Sequence, residues 1–125
     1  MGNNYFESHR QRMKNNHITL MKVADMLKLK GCKVYSSEFR DSERDSYRRY
    51  LLVVKDRKKT YVGFSEVPYR WWLDSECSNL KNTRGLVGEK GYGFPYTIQE
   101  ILDSMRTIQI SEIGFQQKLR NYVEL

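Results

Sequence analysis

Apolar residues recur along the chain with two different periods, and the change of period separates helices from strands. The segment from Ile18 to Leu29 has apolar residues every three or four positions: Leu20, Val23, Ala24 and Leu27. This spacing predicts an amphipathic helix with one buried stripe. Gly31 follows the last apolar residue, where its missing Cβ suits a helix C-terminal cap. Asn15 or Asn16 is positioned to cap the start.

The stretch from Tyr47 to Trp72 predicts a β-hairpin followed directly by both tryptophans of the chain. Two apolar runs flank the polar segment Lys55 to Lys59, a pattern typical of two strands joined by a turn. The first run has apolar residues at successive positions, which indicates a strand with both faces covered. Trp71 and Trp72 are adjacent, and adjacent side chains of a strand point to opposite faces. We therefore expect one tryptophan to be partly exposed.

The remaining segments complete the predicted fold. A strand is predicted from Lys33 to Phe39, and residues 75–95 form a long loop that contains glycines. The sequence from Thr97 to Glu100 is a helix capping box, and a last helix is predicted from Ser111 to about Val123. The chain is thus predicted to be a single α+β domain over residues 1–125, in which the polar residues 1–16 form either a short helix or an arm that is ordered or mobile. Its parts are an N-terminal helix, a three- to four-stranded antiparallel sheet around a basic-tipped hairpin, and two C-terminal helices on one face.

Positive charge is concentrated in one half of the chain. The net charge of the 125 residues is +7, but residues 1–65 carry 15 Lys and Arg against 7 Asp and Glu, whereas residues 66–125 carry 7 against 8. Such an asymmetry favours an anionic partner, although charge alone also fits a merely well-solvated basic surface. With 39% hydrophobic residues and 13% aromatic residues, the chain has the material for a folded core.

Cysteine use and apolar run lengths restrict the setting. Cys32 and Cys77 do not have the spacing of a zinc site, and no apolar run approaches the length of a membrane span. We expect a cytoplasmic protein with free thiols, no membrane association, no metal and no cofactor. A disulfide between the two cysteines is the alternative in an oxidising compartment.

Catalytic patterns are weak. His9 and His17 have no neighbouring nucleophile, and the carboxylates Glu38, Asp41, Glu43 and Asp45 lack the acidic residue and lysine that nucleases place on an adjacent strand. The glycines from Gly85 to Gly93, with Lys90, precede a helix but do not form the phosphate-binding loop of nucleotide hydrolases. We therefore expect a protein that is not an enzyme.

A basic and aromatic surface around the hairpin is the preferred site. Arginine and lysine side chains would contact phosphates, and tyrosine and tryptophan rings would stack on bases. The candidate binding residues are Arg48, Arg49, Lys55, Arg57, Lys58, Lys59, Tyr61, Tyr69, Arg70, Trp71, Trp72 and Lys90. The predicted function is binding of DNA or RNA, or of a protein complex that handles nucleic acid.

Two alternatives remain open at this point. The small, Lys- and Asn-rich, motif-poor chain resembles, in composition only, phage proteins such as anti-CRISPR inhibitors. That resemblance implies an inhibitor or adaptor that docks on a partner protein through Trp71, Trp72 and the glycine-containing loop. The other alternative is a metal-dependent nuclease that uses the carboxylates between Glu38 and Asp45.

Overall fold

A long N-terminal helix crosses one face of an antiparallel sheet. The computed structural model describes residues 2–37, 48–66, 69–76, 84–85 and 94–125, and helix α1 spans Gly2–Leu29. The predicted start near Ile18 is therefore wrong, and Asn15 and Asn16 lie inside the helix rather than at its cap. Met13 and Asn16 continue the buried stripe toward the N-terminus, with exposed fractions of 8% and 1%. The polar asparagine at a buried position concealed the helical period in the sequence.

The C-terminus of α1 is closed by the predicted glycine cap. The amide of Gly31 donates to the carbonyl of Lys28, and the amide of Cys32 donates to the carbonyl of Leu27. This pair of bonds, with Gly31 at φ 88°, is the Schellman motif. Leu27 and Cys32 are both buried in the same apolar cluster, so the cap also fixes where the chain enters the sheet.

Four consecutive strands form the centre of the sheet. They are β1 (Lys33–Ser37), β2 (Arg48–Lys55), β3 (Lys58–Glu66) and β4 (Tyr69–Asp74), each antiparallel to the next. Three short strands extend it: β5 (Arg84–Gly85), β6 (Arg106–Thr107) and β7 (Tyr122–Glu124). The order is β5-β4-β3-β2-β1-β7, and β6 pairs with the start of β3. The predicted α+β fold and the hairpin are confirmed, and the sheet is larger than three or four strands.

Helices cover both faces of this sheet. Helix α1 and helix α2 (Ile98–Asp103) pack with Leu51, Val53 and Phe64 on what we call the α1 face. Helix α3 (Glu112–Leu119) packs with Leu52 and Tyr61 on what we call the α3 face. The prediction that both C-terminal helices share one face is thus wrong in that detail. Since β2 is apolar on both sides, each face needs its own cover.

Both tryptophans are buried, on opposite faces of β4. Trp71 is 1% exposed and packs between Phe64 and Phe94, whereas Trp72 is 0% exposed and packs beside Tyr50. The prediction that one of them is exposed is wrong. Strand alternation does separate the two rings, but the cover on each face buries both.

Gly63 makes room for the aromatic packing of the α3 face. It lies between Tyr50 and Trp72 on the neighbouring strands, and the rings of those two residues approach to 5.6 Å across it. A Cβ atom at Gly63 would lie 2.3 Å from the Arg49 carbonyl oxygen and 2.5 Å from the Tyr50 Cβ. Glycine is therefore required here by close packing.

The C-terminal region follows its local signals until its last residues. Thr97 and Glu100 form the predicted capping box, with both hydrogen bonds at 3.0 Å. Ser111 caps α3, as predicted. The predicted continuation of α3 to Val123 is wrong, because α3 ends at Leu119 and the chain then adds β7 to the edge of β1. Among the described residues no helix is long and apolar enough to span a membrane.

Candidate nucleic-acid interface

The hairpin turns through two residues, Asp56 and Arg57, both in left-handed backbone. Their φ angles are 50° and 65°, as a two-residue hairpin turn with matching twist requires. Asn-Gly is the favoured pair in such turns, because a side chain with a Cβ is strained at positive φ. Arg57 is exposed at this position. The turn therefore carries a cation where glycine would fit with less strain.

Lys55, the last residue of β2, joins the hairpin tip to the end of α1. Its ammonium group donates to the carbonyl oxygen of Lys30 at 2.8 Å. A cation at this position stabilises the partial negative charge of the helix C-terminus. Lys28 and Lys30 are exposed beside the same contact. The cations that end the helix thus lie next to those of the hairpin.

A row of residues on the α3 face brings further cations to the same end of the sheet. Lys33 is opposite Val54, Val54 is opposite Lys59, and Lys59 is opposite Arg106. Directly paired residues share a face, so the side chains of all four belong to one row across β1, β2, β3 and β6. Neighbouring strands are separated by about 4.8 Å, so the row is about 14 Å long.

We call this region the basic end. Its eight cationic residues are Lys28, Lys30, Lys33, Lys55, Arg57, Lys58, Lys59 and Arg106. Leaving Lys59 aside, none of them forms an ion pair with a carboxylate in the part of the chain that the structure describes. Elsewhere, an ion pair joins Arg84 of β5 to Glu100 of α2 at 2.8 Å. The charges of the other seven residues are therefore available to an external anion.

Some of these cations also support the fold. Lys59 donates to the Ser75 carbonyl at 2.7 Å, and its ammonium lies 4.9 Å from the centre of the Tyr61 ring. Lys118 of α3 lies 5.7 Å from the centre of the same ring. The guanidinium of Arg106 donates to the carbonyls of Asp103 and Met105. Such bonds fix the position of a charge without neutralising it, since a carbonyl bears no net charge.

The structure separates the candidate binding residues into several places. Arg48 and Arg70 are both opposite Ser65, at the far end of the hairpin. With a rise of about 3.3 Å per residue, this place is about 23 Å from Lys55. Tyr61, Trp71 and Trp72 are buried and offer no surface for stacking. Lys90 and the side chains of Arg48 and Tyr69 lie outside what the structure describes.

Arg49 projects to the α1 face and contacts His17 of α1. Its Nη1 is 3.2 Å from Nδ1 of His17. Burial, and secondly the charge of Arg49, lower the pKa of His17. This histidine is therefore held toward its neutral form by its place against β2.

Groups that would support catalysis are not gathered in the described segments. No cluster of three or more His, Cys, Asp or Glu side chains with metal-binding geometry occurs there. The carboxylates from Glu38 to Asp45, most of the glycine-containing loop, and Cys77 lie outside those segments. Cys32 is a buried free thiol, and burial raises its pKa above the usual value. A thiol of this kind is a weak nucleophile at neutral pH.

Sequence reasoning missed half of the basic end. Lys28, Lys30 and Lys33 flank the glycine cap, and Arg106 follows α2. A signal was present, because three lysines occur within six residues around Gly31. Their position beside the hairpin tip depends on the pairing of β1 with β2 and of β6 with β3. That pairing joins residues far apart in the chain.

No protein family model, no curated protein and no solved structure matches the chain significantly. The functional assignment accordingly depends on the geometry and charge of the basic end.

Proposed function

We propose that the protein is a non-enzymatic binding protein that contacts the phosphates of nucleic acid, alone or in a protein complex, through the basic end. The observation that carries this proposal is the gathering of eight cations from five elements and their connections, of which seven have no carboxylate partner among the described residues. Like charges placed close together repel one another. Binding a polyanion removes this repulsion and releases counterions from the nucleic acid.

The turn residue Arg57 supports the same proposal. An arginine at φ 65° is strained relative to glycine, and its side chain is exposed. Residues held in unfavourable backbone regions concentrate at functional sites, where the side chain has a use that offsets the strain. Arginine also suits phosphate, because its planar group donates two parallel hydrogen bonds.

Fluorescence anisotropy tests the proposal with two matched double variants. The first, Arg57→Ser with Lys58→Ser, removes two exposed cations from the basic end. The second, Lys14→Ser with Arg120→Ser, removes the same charge from exposed positions elsewhere. Labelled nucleic acid is titrated with each protein at about 50 mM salt and at higher concentrations.

We expect the first variant to weaken binding and to reduce the slope of log affinity against log salt by about two, because each lost phosphate contact lowers it by about one. The second variant should bind like the unaltered protein. Absence of binding by the unaltered protein at low salt would contradict the proposal. An equal loss of affinity in both variants would show that binding depends on the net charge of the protein and not on the basic end.

A second candidate function is docking on a partner protein, in the manner of an inhibitor or adaptor. The specific observation is an exposed apolar pair beside the tip: Ile110 is 46% exposed and Ile113 is 75% exposed. The amide of Ile108 donates to the Arg57 carbonyl at 2.9 Å, which places this pair near the turn. The buried tryptophans cannot serve as the docking anchors predicted from the sequence.

Affinity capture distinguishes this candidate. Immobilised protein is incubated with nuclease-treated lysate, beside an Ile113→Ser variant. A protein retained by the unaltered chain and lost with Ile113→Ser would favour docking on a protein. Incubation of labelled nucleic acid with magnesium or manganese tests the nuclease alternative, and we expect binding without cleavage.

A further inference from the structure

Among the residues whose side chains the structure describes, no exposed aromatic ring lies next to the basic end. Every aromatic side chain that the structure describes is buried or half-buried. Tyr61, the ring nearest to the cations, is 1% exposed and lies beneath Lys59 and Lys118. Proteins that hold single strands without sequence preference combine basic grooves with exposed aromatic rings. The described part of this surface has exposed cations and no exposed aromatic ring.

The hairpin tip does not project from the molecule. Strand β1 extends to the pair Lys33 with Val54, one residue short of Lys55. On the other side β6 pairs with Lys58 and Lys59, directly after the turn. A β-ribbon reads bases by entering a groove of the duplex. A tip bordered on both sides by other strands lies against the phosphate backbone instead.

The density of positive charge suits two strands of phosphates. A duplex carries one negative charge per about 1.7 Å of its axis, and a single strand of the duplex half as many. Along the row of about 14 Å from Lys33 to Arg106, a duplex presents about eight charges. Besides Lys59, the basic end provides seven cations around this row, on the tip and at the end of α1, and the exposed carboxylate of Asp56 lies among them in the turn. One strand presents about four charges over the same length, fewer than the six net positive charges of these residues.

We infer that the basic end binds double-stranded nucleic acid along its phosphate backbone, independently of sequence and without base stacking. This inference rests on the proposed function and specifies its substrate. DNA and RNA duplexes share the phosphate chemistry and differ in groove shape and in the 2′-hydroxyl. The contact is made by charge, so neither groove is read.

Competition binding at one fixed salt concentration tests the inference. The probes are two DNA duplexes of unrelated sequence, one RNA duplex, a single strand of the same length and an abasic single strand, each of about 20 units. Tryptophan emission of the protein is recorded in parallel. The double variant Arg57→Ser with Lys58→Ser and the control Lys14→Ser with Arg120→Ser are measured on every probe.

Both DNA duplexes should bind with affinities within about threefold of each other, because a sequence-reading interface would discriminate far more strongly. The single strand should bind several-fold more weakly, and its abasic form should bind equally well. Tryptophan emission should stay unchanged, since Trp71 and Trp72 are buried. Binding of the RNA duplex identifies the ligand as duplex phosphate in general, and its failure to bind restricts the ligand to DNA.

Two results overturn the inference while leaving the proposed function intact. One is tighter binding of the single strand than of the duplex, together with weaker binding of the abasic single strand. The other is discrimination between the two duplex sequences by tenfold or more. Failure of every probe to bind would overturn the proposed function as well. Equal competition by polyglutamate of matched charge would show that the surface selects an acidic polypeptide rather than duplex phosphate.

Discussion

Strand β4 and the hairpin tip belong to one stretch of sequence that indicates a binding surface, yet the fold gives them opposite roles. The rings of Trp71 and Trp72 are buried on two different faces, whereas Arg57 and Lys58 remain exposed. The difference comes from what covers each part. Each face of β4 belongs to an apolar cluster that also contains helix residues. The tip is bordered only at its sides, by the ends of β1, β6 and α1. Aromatic content alone therefore indicates a binding surface poorly when a sheet is covered on both sides.

The burial of the tryptophans also changes which ligands the surface can recognise. A site with exposed tryptophans would bind through stacking and read single strands. A site made of cations without rings binds phosphates and depends strongly on salt. The following substitutions test the division between core and surface, beginning with the largest expected effect.

Trp72→Ala should destabilise the protein most. Removing a fully buried tryptophan typically costs about 3–5 kcal/mol, because transfer energy and a cavity penalty add. Urea denaturation followed by circular dichroism measures the loss. Lys58→Ser is the control and should change stability by less than about 0.5 kcal/mol. A cost below about 1 kcal/mol for Trp72→Ala would mean that this ring lies at the surface.

Gly63→Ala should destabilise the sheet by about 1–3 kcal/mol, the usual cost of forcing an extra group into a packed site. The added Cβ would meet the Arg49 carbonyl at 2.3 Å, and backbone atoms cannot swing aside as a flexible side chain can. The same change at Gly114 of helix α3 is the control. A Cβ there would lie 3.2 Å from the Oγ of the N-cap Ser111, a longer distance and to a side-chain atom, so a smaller loss of stability is expected.

Equal denaturation midpoints for the unaltered protein and Gly63→Ala would contradict the close packing between Tyr50 and Trp72. A large loss of stability for Gly114→Ala, without one for Gly63→Ala, would mean that the tightly packed glycine lies in α3 and not in the sheet.

Arg57→Gly should have the smallest effect on stability, and in the opposite direction. Relief of the left-handed backbone at φ 65° favours glycine, while the greater freedom of glycine in the unfolded chain opposes it. The net change should lie between zero and about 1 kcal/mol of added stability. Nucleic-acid affinity should fall at the same time. The same denaturation and anisotropy measurements check both, and unchanged affinity would remove Arg57 from the site.

Several features were predictable because their causes lie within a few residues. Thr97 and Glu100 form a capping box from their own spacing, and Gly31 ends α1 through bonds to Lys28 and Leu27. The hairpin follows from two apolar runs separated by a short polar segment. The start of α1 was not predictable in the same way, since Asn16 interrupts an apolar period that continues to Met13.

The tertiary structure alone determined the conformation of the C-terminal residues and the burial of the side chains around the hairpin. Residues Tyr122 to Glu124 continue a helical apolar pattern, but pairing with β1 makes them a strand. The rings of Trp71 and Trp72 were assigned to the surface by alternation, and the second covered face of the sheet reversed that assignment.

By itself, then, the sequence determined most of the local elements, the hairpin with its polar tip and the excess of positive charge in its first half. The tertiary structure decided which aromatic rings are buried and which cations lie together. The physical reason is the separation in sequence of the residues that interact. Caps and turns depend on hydrogen bonds between near neighbours in the chain, whereas the basic end joins Lys30, Lys58 and Arg106 through strand pairing and packing.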